Sequence, residues 1–241
     1  MNVNEIVRIV PTLKVNNRKL NERFYIEILG MKPLLEESAF ISLGDQTATE
    51  RLILEEAPSM RTRKVEGLKK LARLLIKVEN PSEIEALLSQ MKPLPRLFKG
   101  NRGYAFEIVS PEEDVILVHA ENDVRDLVPL ETVPEFYSNT SIKYLSQFEV
   151  SMELRLPEGT ESLLDHEGVA PVITFTKGQG PDLAVENNVT WDLTMLKFLV
   201  KNFDLTSLRQ KFEKTGYFVP KSEKFFLGKD TNNIELWFEE A

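Results

Sequence analysis

Between residues 8 and 15 the chain alternates. Ile9, Leu13 and Val15 fall on one face of an extended segment, and Arg8, Val10, Thr12 and Lys14 on the other. That period predicts a strand buried on one side. Asn16 and Asn17 follow, each with a short side-chain oxygen able to accept from the free amides of a first helical turn. Leu20, Phe24 and Ile28, four residues apart, predict one apolar stripe on a helix over 17–29, and Gly30 supplies a left-handed exit. Residues 32–56 then form three apolar runs broken at Glu36-Glu37 and Gly44-Asp45. The unit reads βαβββ.

The same order returns three times. A strand over 71–78, a helix over 82–90 started by Asn80-Pro81-Ser82, and strands within 94–120 make a second copy. The last copy has a strand over 191–200 and a helix over 205–215, capped by Asp204 or Thr206 and stopped by Gly216. Its strands lie within 217–227 and 234–238. A weaker third copy has strands over 148–156, 172–176 and 183–185 with a helical segment over 160–166. Four modules predict an α+β fold paired into two domains. The first domain is 1–125, with modules 1–58 and 68–122, and the second is 147–241. The linker is 126–146, in a stretch with Pro129, Pro134 and little periodicity.

Composition narrows the setting. Of 241 residues 42% are hydrophobic, ample for a core in each domain, and there are no cysteines, which excludes disulfides and thiolate chemistry. No run of about 18 uncharged apolar residues exists, and Glu5 and Arg8 interrupt any signal-like segment at the start. A cytoplasmic location without membrane attachment is expected. The net charge of −8 resides in the second half: residues 1–125 hold 19 basic and 19 acidic side chains, 126–241 hold 11 and 19. No clustered basic face is implied, so no nucleic-acid partner is expected. Arg61 to Lys64 with Lys69-Lys70 reads as a solvated connection between modules.

Repeated βαβββ modules with a Phe24-Tyr25…Leu29-Gly30 helix end and an Asn233-Ile234-Glu235-Leu236 last strand resemble the vicinal oxygen chelate superfamily, the fold of glyoxalase, bleomycin-resistance protein and extradiol dioxygenases. The whole-chain pattern, including Thr190-Trp191-Asp192-Leu193-Thr194, is similar to the streptococcal CppA family, whose members carry the label complement-C3-degrading proteinase. The resemblance implies cleavage of, or binding to, a host protein such as complement C3. Yet there is no His-Glu-x-x-His, Gly-x-Ser-x-Gly or Asp-Thr-Gly in the chain. By residue type, Ser151 or Ser110 with His119 and an aspartate would satisfy a triad assembled across space. The alternative is a cytosolic, metal-independent binder of a small acidic molecule.

In the superfamily, metal ligands come from the first and last strands of each module. Carried over by alignment, the histidine positions of modules one and two hold Val10 and Arg73, and the last-strand glutamate position of module two holds Leu117. In the second domain those positions hold Ser151, Met195 and Glu235. Valine and leucine donate nothing and a guanidinium is a cation, so no metal and no cofactor are expected. The cleft faces would instead present Arg8, Thr12, Arg73 and Lys77 in the first domain, a set suited to an anion or simply solvated. In the second they would present Ser151, Glu153, Arg155, Met195, Lys197, Glu235 and Trp237, with Arg155 pairing Glu153 or Glu235 and Trp237 as an aromatic wall. Trp191 and Asp192 begin a strand and could serve the domain interface. His119 has two readings, a group in the first cleft near Arg73 or an exposed strand end. His166 reads as a helix C-terminal residue.

Overall fold

The computed structural model describes residues 5–58, 60, 62–132, 134–137, 142–164, 169 and 172–241. Strands β1 (Glu5–Val15), β2 (Lys32–Glu37), β3 (Phe40–Gly44) and β4 (Glu50–Glu56) form the first module, with helix α1 (Arg18–Glu22) after β1. The second has β5 (Leu71–Val78), α2 (Ser82–Gln90), β6 (Arg96–Gly100), β7 (Gly103–Val109) and β8 (Val115–His119). A short β9 (Val128–Pro129) follows. The third keeps β10 (Phe148–Pro157) and β11 (Ile173–Gly178). The fourth has β12 (Leu193–Lys201), α3 (Leu205–Lys211), β13 (Phe225–Lys229) and β14 (Glu235–Glu240). No helix among the described residues is long and apolar enough to cross a membrane.

Two seven-stranded sheets result, in the orders β13-β14-β12-β1-β4-β3-β2 and β11-β10-β5-β8-β7-β6-β9. Within each module the first strand lies parallel to the last, β1 beside β4, β5 beside β8, β10 beside β11 and β12 beside β14. Between modules the joins are antiparallel: β1 pairs with β12, and β5 with β10. The first module therefore shares a sheet with the fourth, and the second with the third. This corrects the expected tandem pairing, in which the sheets would follow the division at 126–146. Local periodicity sets which face of a strand is buried but not which strand lies beside it. The β1–β12 register is fixed by a shared core, where Ile9, Leu13 and Val15 pack in one cluster with Leu196, Phe198 and Val200.

The described residues around the expected linker are partly packed. A 3₁₀ turn over Val124–Asp126 lies against the second sheet, β9 pairs with β6, and Leu145 is fully buried.

Local elements deviate where side chains demand it. Asn17 caps α1, its Oδ1 accepting from Leu20 N at 3.0 Å. From Arg23 to Ile28 the helix widens to π geometry, with Leu29 N donating to Phe24 O and Met31 N to Tyr25 O. The wider turn redirects the buried face. Asn21, Phe24 and Tyr25 point inward, whereas Leu20 and Ile28 of the expected stripe are exposed. Helix α3 ends at Lys211, four residues short of expectation, and residues 217–224 form no strand apart from a bridge from Phe218 to Leu227. Residues 183–185 are turns rather than a strand, so among the described residues the third module keeps only its first and last strands. Residues 160–164 are not helical, and His166 lies outside the described residues.

Candidate functional site

The second sheet presents the site. In its registers Arg73 lies opposite Glu153, Leu75 opposite Ser151 and Leu117, and Lys77 opposite Glu149 and His119. Because side chains alternate, all eight share one concave face. Leu75, Lys77, His119, Glu149, Ser151 and Glu153 border a cleft of about 590 Å³ whose lining also includes Arg8 from β1, Arg51 from β4 and the Asn122–Arg125 turn. The cleft thus takes residues from both sheets. Leu75 and Val124 give it apolar lining, and behind them they pack with Phe98, Ala105, Leu117 and Leu127 in a small cluster.

Most cleft charges are matched. Arg73 donates to Glu153 at 2.7 Å and approaches Glu107 at 3.8 Å. Lys77 Nζ donates to Asn122 Oδ1 at 3.0 Å, and Arg51 pairs with Asp45 at 3.1 Å. Arg8 differs, since its Nε is buried and has no hydrogen-bond partner among the described residues. His119 is 4% exposed, and its Nδ1 likewise lacks a partner. Burial, then the Lys77 cation, pulls its pKa from 6.5 down to about 4. A hydrogen bond with the Glu121 backbone opposes this, and Arg73 adds to the depression. The reading of His119 as an exposed strand end is thereby corrected; it lies in the cleft wall.

The remaining expected site residues lie elsewhere. Thr12, Met195, Glu235 and Trp237 belong to the first sheet and are not among the residues that line the cleft with Ser151 and Glu153. Thr12 is 1% exposed, and Lys197 bridges Glu50 at 3.2 Å and Glu239 at 3.1 Å. Burial works against that lysine's charge, but the two carboxylates outweigh it and hold its pKa above the ordinary range. Trp237 stacks on Phe225 at 3.8 Å and donates to Glu239. Arg155 pairs with neither glutamate: its guanidinium donates to Lys69 O at 3.2 Å, because Arg73 already holds Glu153. Ser110 is tied into a turn, its Oγ donating to Asp114 and accepting from the Glu112 and Asp114 amides.

Sequence reasoning missed Arg51 and the Asn122–Arg125 turn, which enter the cleft only through tertiary contact. A buried clasp forms at Trp191 and Asp192, the two residues read as candidates for the domain interface. Asp192, 2% exposed, accepts from Lys70 N at 2.6 Å, Leu71 N at 3.2 Å and Leu193 N at 2.8 Å, joining the entries of β5 and β12 and hence the two sheets. Trp191 Nε1 donates to Ala57 O and Thr62 Oγ1 at 2.8 Å, so both residues serve that junction.

The donor set does not fit a catalytic metal. Val10 and Leu117 are buried and offer no ligand atom, and Arg73 places an ion-paired guanidinium where an imidazole would stand. Among the described residues no three His, Asp or Glu side chains converge.

Paired βαβββ modules with a concave face per sheet define a protein of the glyoxalase and dioxygenase fold. A glyoxalase I variant from Zea mays superposes with a TM-score of 0.55 at 10% identity, over 97% of this chain and 93% of its own. A Bacillus subtilis protein provisionally ascribed dioxygenase activity gives a TM-score of 0.59 at 12% identity, over 99% and 86%. At such identities the likeness concerns the fold. The chain belongs to the CppA family: the CppA N-terminal family matches residues 8–130 and the CppA C-terminal family residues 145–238. The crystal structure of the cppA protein from Streptococcus pneumoniae TIGR4 is 65% identical, with a TM-score of 0.97 over 99% of this chain and all of that one. A comparison with curated proteins finds no match.

Proposed function

We propose that this CppA-family chain binds a small organic anion in the concave face of its second sheet, without a metal. The observation that carries the reading is Arg8. A guanidinium nitrogen buried without a partner at a 590 Å³ cleft is costly unless something accepts from it. A carboxylate is the natural acceptor, since it can take two parallel N–H bonds from the fork. The apolar side chains of Leu75 and Val124 in that lining suit the body of such a ligand, as pockets of this size are mostly apolar with a few convergent polar groups. Calorimetric titration with acetate, propionate, succinate and malate at low ionic strength tests it. Binding by the native chain that Arg8→Met removes supports the reading; no binding of any of the four sinks it.

A second reading, cleavage of complement C3, has one favouring observation: Ser151 and His119 line the same cleft. An imidazole with a pKa of about 4 is a weak base at neutral pH, and no carboxylate in the described network orients it. Incubation with C3 should give weak or no cleavage, unaffected by metal chelators. Robust cleavage abolished by both Ser151→Ala and His119→Ala would establish this second reading instead.

A further inference from the structure

Resting on the anion-binding reading, we infer that the carboxylate Arg8 calls for is the C-terminus of an extended peptide, paired as an added strand along the outer edge of β11. In each of the other three modules the last strand has a neighbour on the side away from the first. These neighbours are β3 beside β4, β7 beside β8 and β13 beside β14, antiparallel every time. The third module has no such neighbour among the described residues, so β11 ends the second sheet. The bond from Met152 N to Val172 O sets the phase of the β10–β11 ladder. Thr174 and Thr176 turn their backbone groups toward β10, and Phe175 and Lys177 turn theirs outward, a row of donors and acceptors of the kind that takes another strand.

The direction of that strand ties the edge to the anion site. Lying antiparallel to β11, as its counterparts lie to theirs, an incoming strand ends beside Val172 and Thr174. Those two residues line the same cleft as Arg8, whose Nε is buried without a partner. A chain that ends there brings its terminal carboxylate to a guanidinium that lacks an acceptor. The edge also selects side chains, because residues directly opposite share a face. Ile173 and Phe175 turn to the core and suit apolar residues opposite them, whereas Thr174 and Thr176 are exposed and suit polar, β-branched ones.

Calorimetry on the full chain with acetyl-Thr-Val-Thr-Val-Thr-Val, as the free acid and as its C-terminal amide, tests both parts. The free acid should bind at least about tenfold tighter than the amide and than acetate, since ladder and carboxylate act together. Backbone pairing is read on the ligand itself, so no variant has to fold. N-methylation of the valines, which lie opposite Ile173 and Phe175 with their amides toward β11, should abolish binding. N-methylation of the threonines, whose amides point away, should change it by less than about threefold. In Arg8→Met the acid and the amide should bind within about twofold of each other. Equal binding of acid and amide to the native chain, acetate bound as tightly as the peptide, or indifference to valine N-methylation overturns this inference and leaves the anion site standing. So does failure of the peptide acid where any of the four small acids binds. Failure of the peptide acid and of all four small acids overturns both.

Discussion

His119 couples the cleft wall to stability. Its imidazole takes a proton below about 4 in the folded chain and below 6.5 when unfolded. Between those values the unfolded chain binds a proton that the folded chain refuses, so stability falls as pH drops from 6.5 to 4 and then levels. The loss is on the order of 3 kcal/mol. Urea denaturation from pH 7 to 4 should show this slope, and His119→Leu should flatten it by most of that amount. Asp192 acts at the other end of β5. Asp192→Ala leaves three amides of Lys70, Leu71 and Leu193 without their acceptor in a buried place. Each unsatisfied donor costs about 1–3 kcal/mol, so a destabilisation of about 3 kcal/mol or more is expected, read as a lower urea midpoint with an unchanged slope. The sequence offered only part of this. Arg8, Lys77, His119, Ser151 and Glu153 could be read as cleft-facing from period-two alternation, and they do line one cleft. That Arg8 would be left unmatched while Arg73 found Glu153 depends on distances between strands remote in the chain.

At the scale of elements, the strongest sequence signals were those in which one short stretch carries its own instructions. Strand β5 and helix α2 occupy the residues expected, 71–78 and 82–90, because alternation and the Asn80-Pro81-Ser82 start are local. The first helix failed in its face. Three leucine-like positions four apart describe an α-helix, but the amides of Leu29 and Met31 reach back five and six residues, and the stripe turns away. The third module failed because its second and third strands have no counterpart among the described residues, and Leu183, read as a strand, is a buried plug in a turn. One contact between elements is sharp enough to test. A methyl group on Gly228 in β13 would stand 2.7 Å from the Phe212 ring, which is fully buried just beyond α3. Gly228→Ala should therefore cost about 1–3 kcal/mol by displacing that ring, measured by thermal or urea unfolding. A neutral substitution would show that the α3 end yields freely.

At the scale of the molecule, the family matches divide the chain at residues 130 and 145, but the sheets do not. Each half contributes two modules, one to each sheet, so a half alone bares the ladders that β1 and β5 make with β12 and β10. Fragments 1–130 and 145–241, prepared separately, should lack cooperative unfolding, whereas a refolded equimolar mixture should recover a one-to-one complex. Cooperative unfolding of either fragment as a monomer would refute the pairing. The same arrangement orders events on the ribosome. Modules two and three are neighbours in the chain, so their sheet can close soon after residue 178 emerges. Strand β1 must wait for β12, nearly the whole length of synthesis, with its hydrogen-bonding edge open to other chains. Its composition suits that delay: Arg8, Pro11 and Lys14 interrupt the apolar run. Charge and proline are what keep a waiting edge from recruiting the wrong strand.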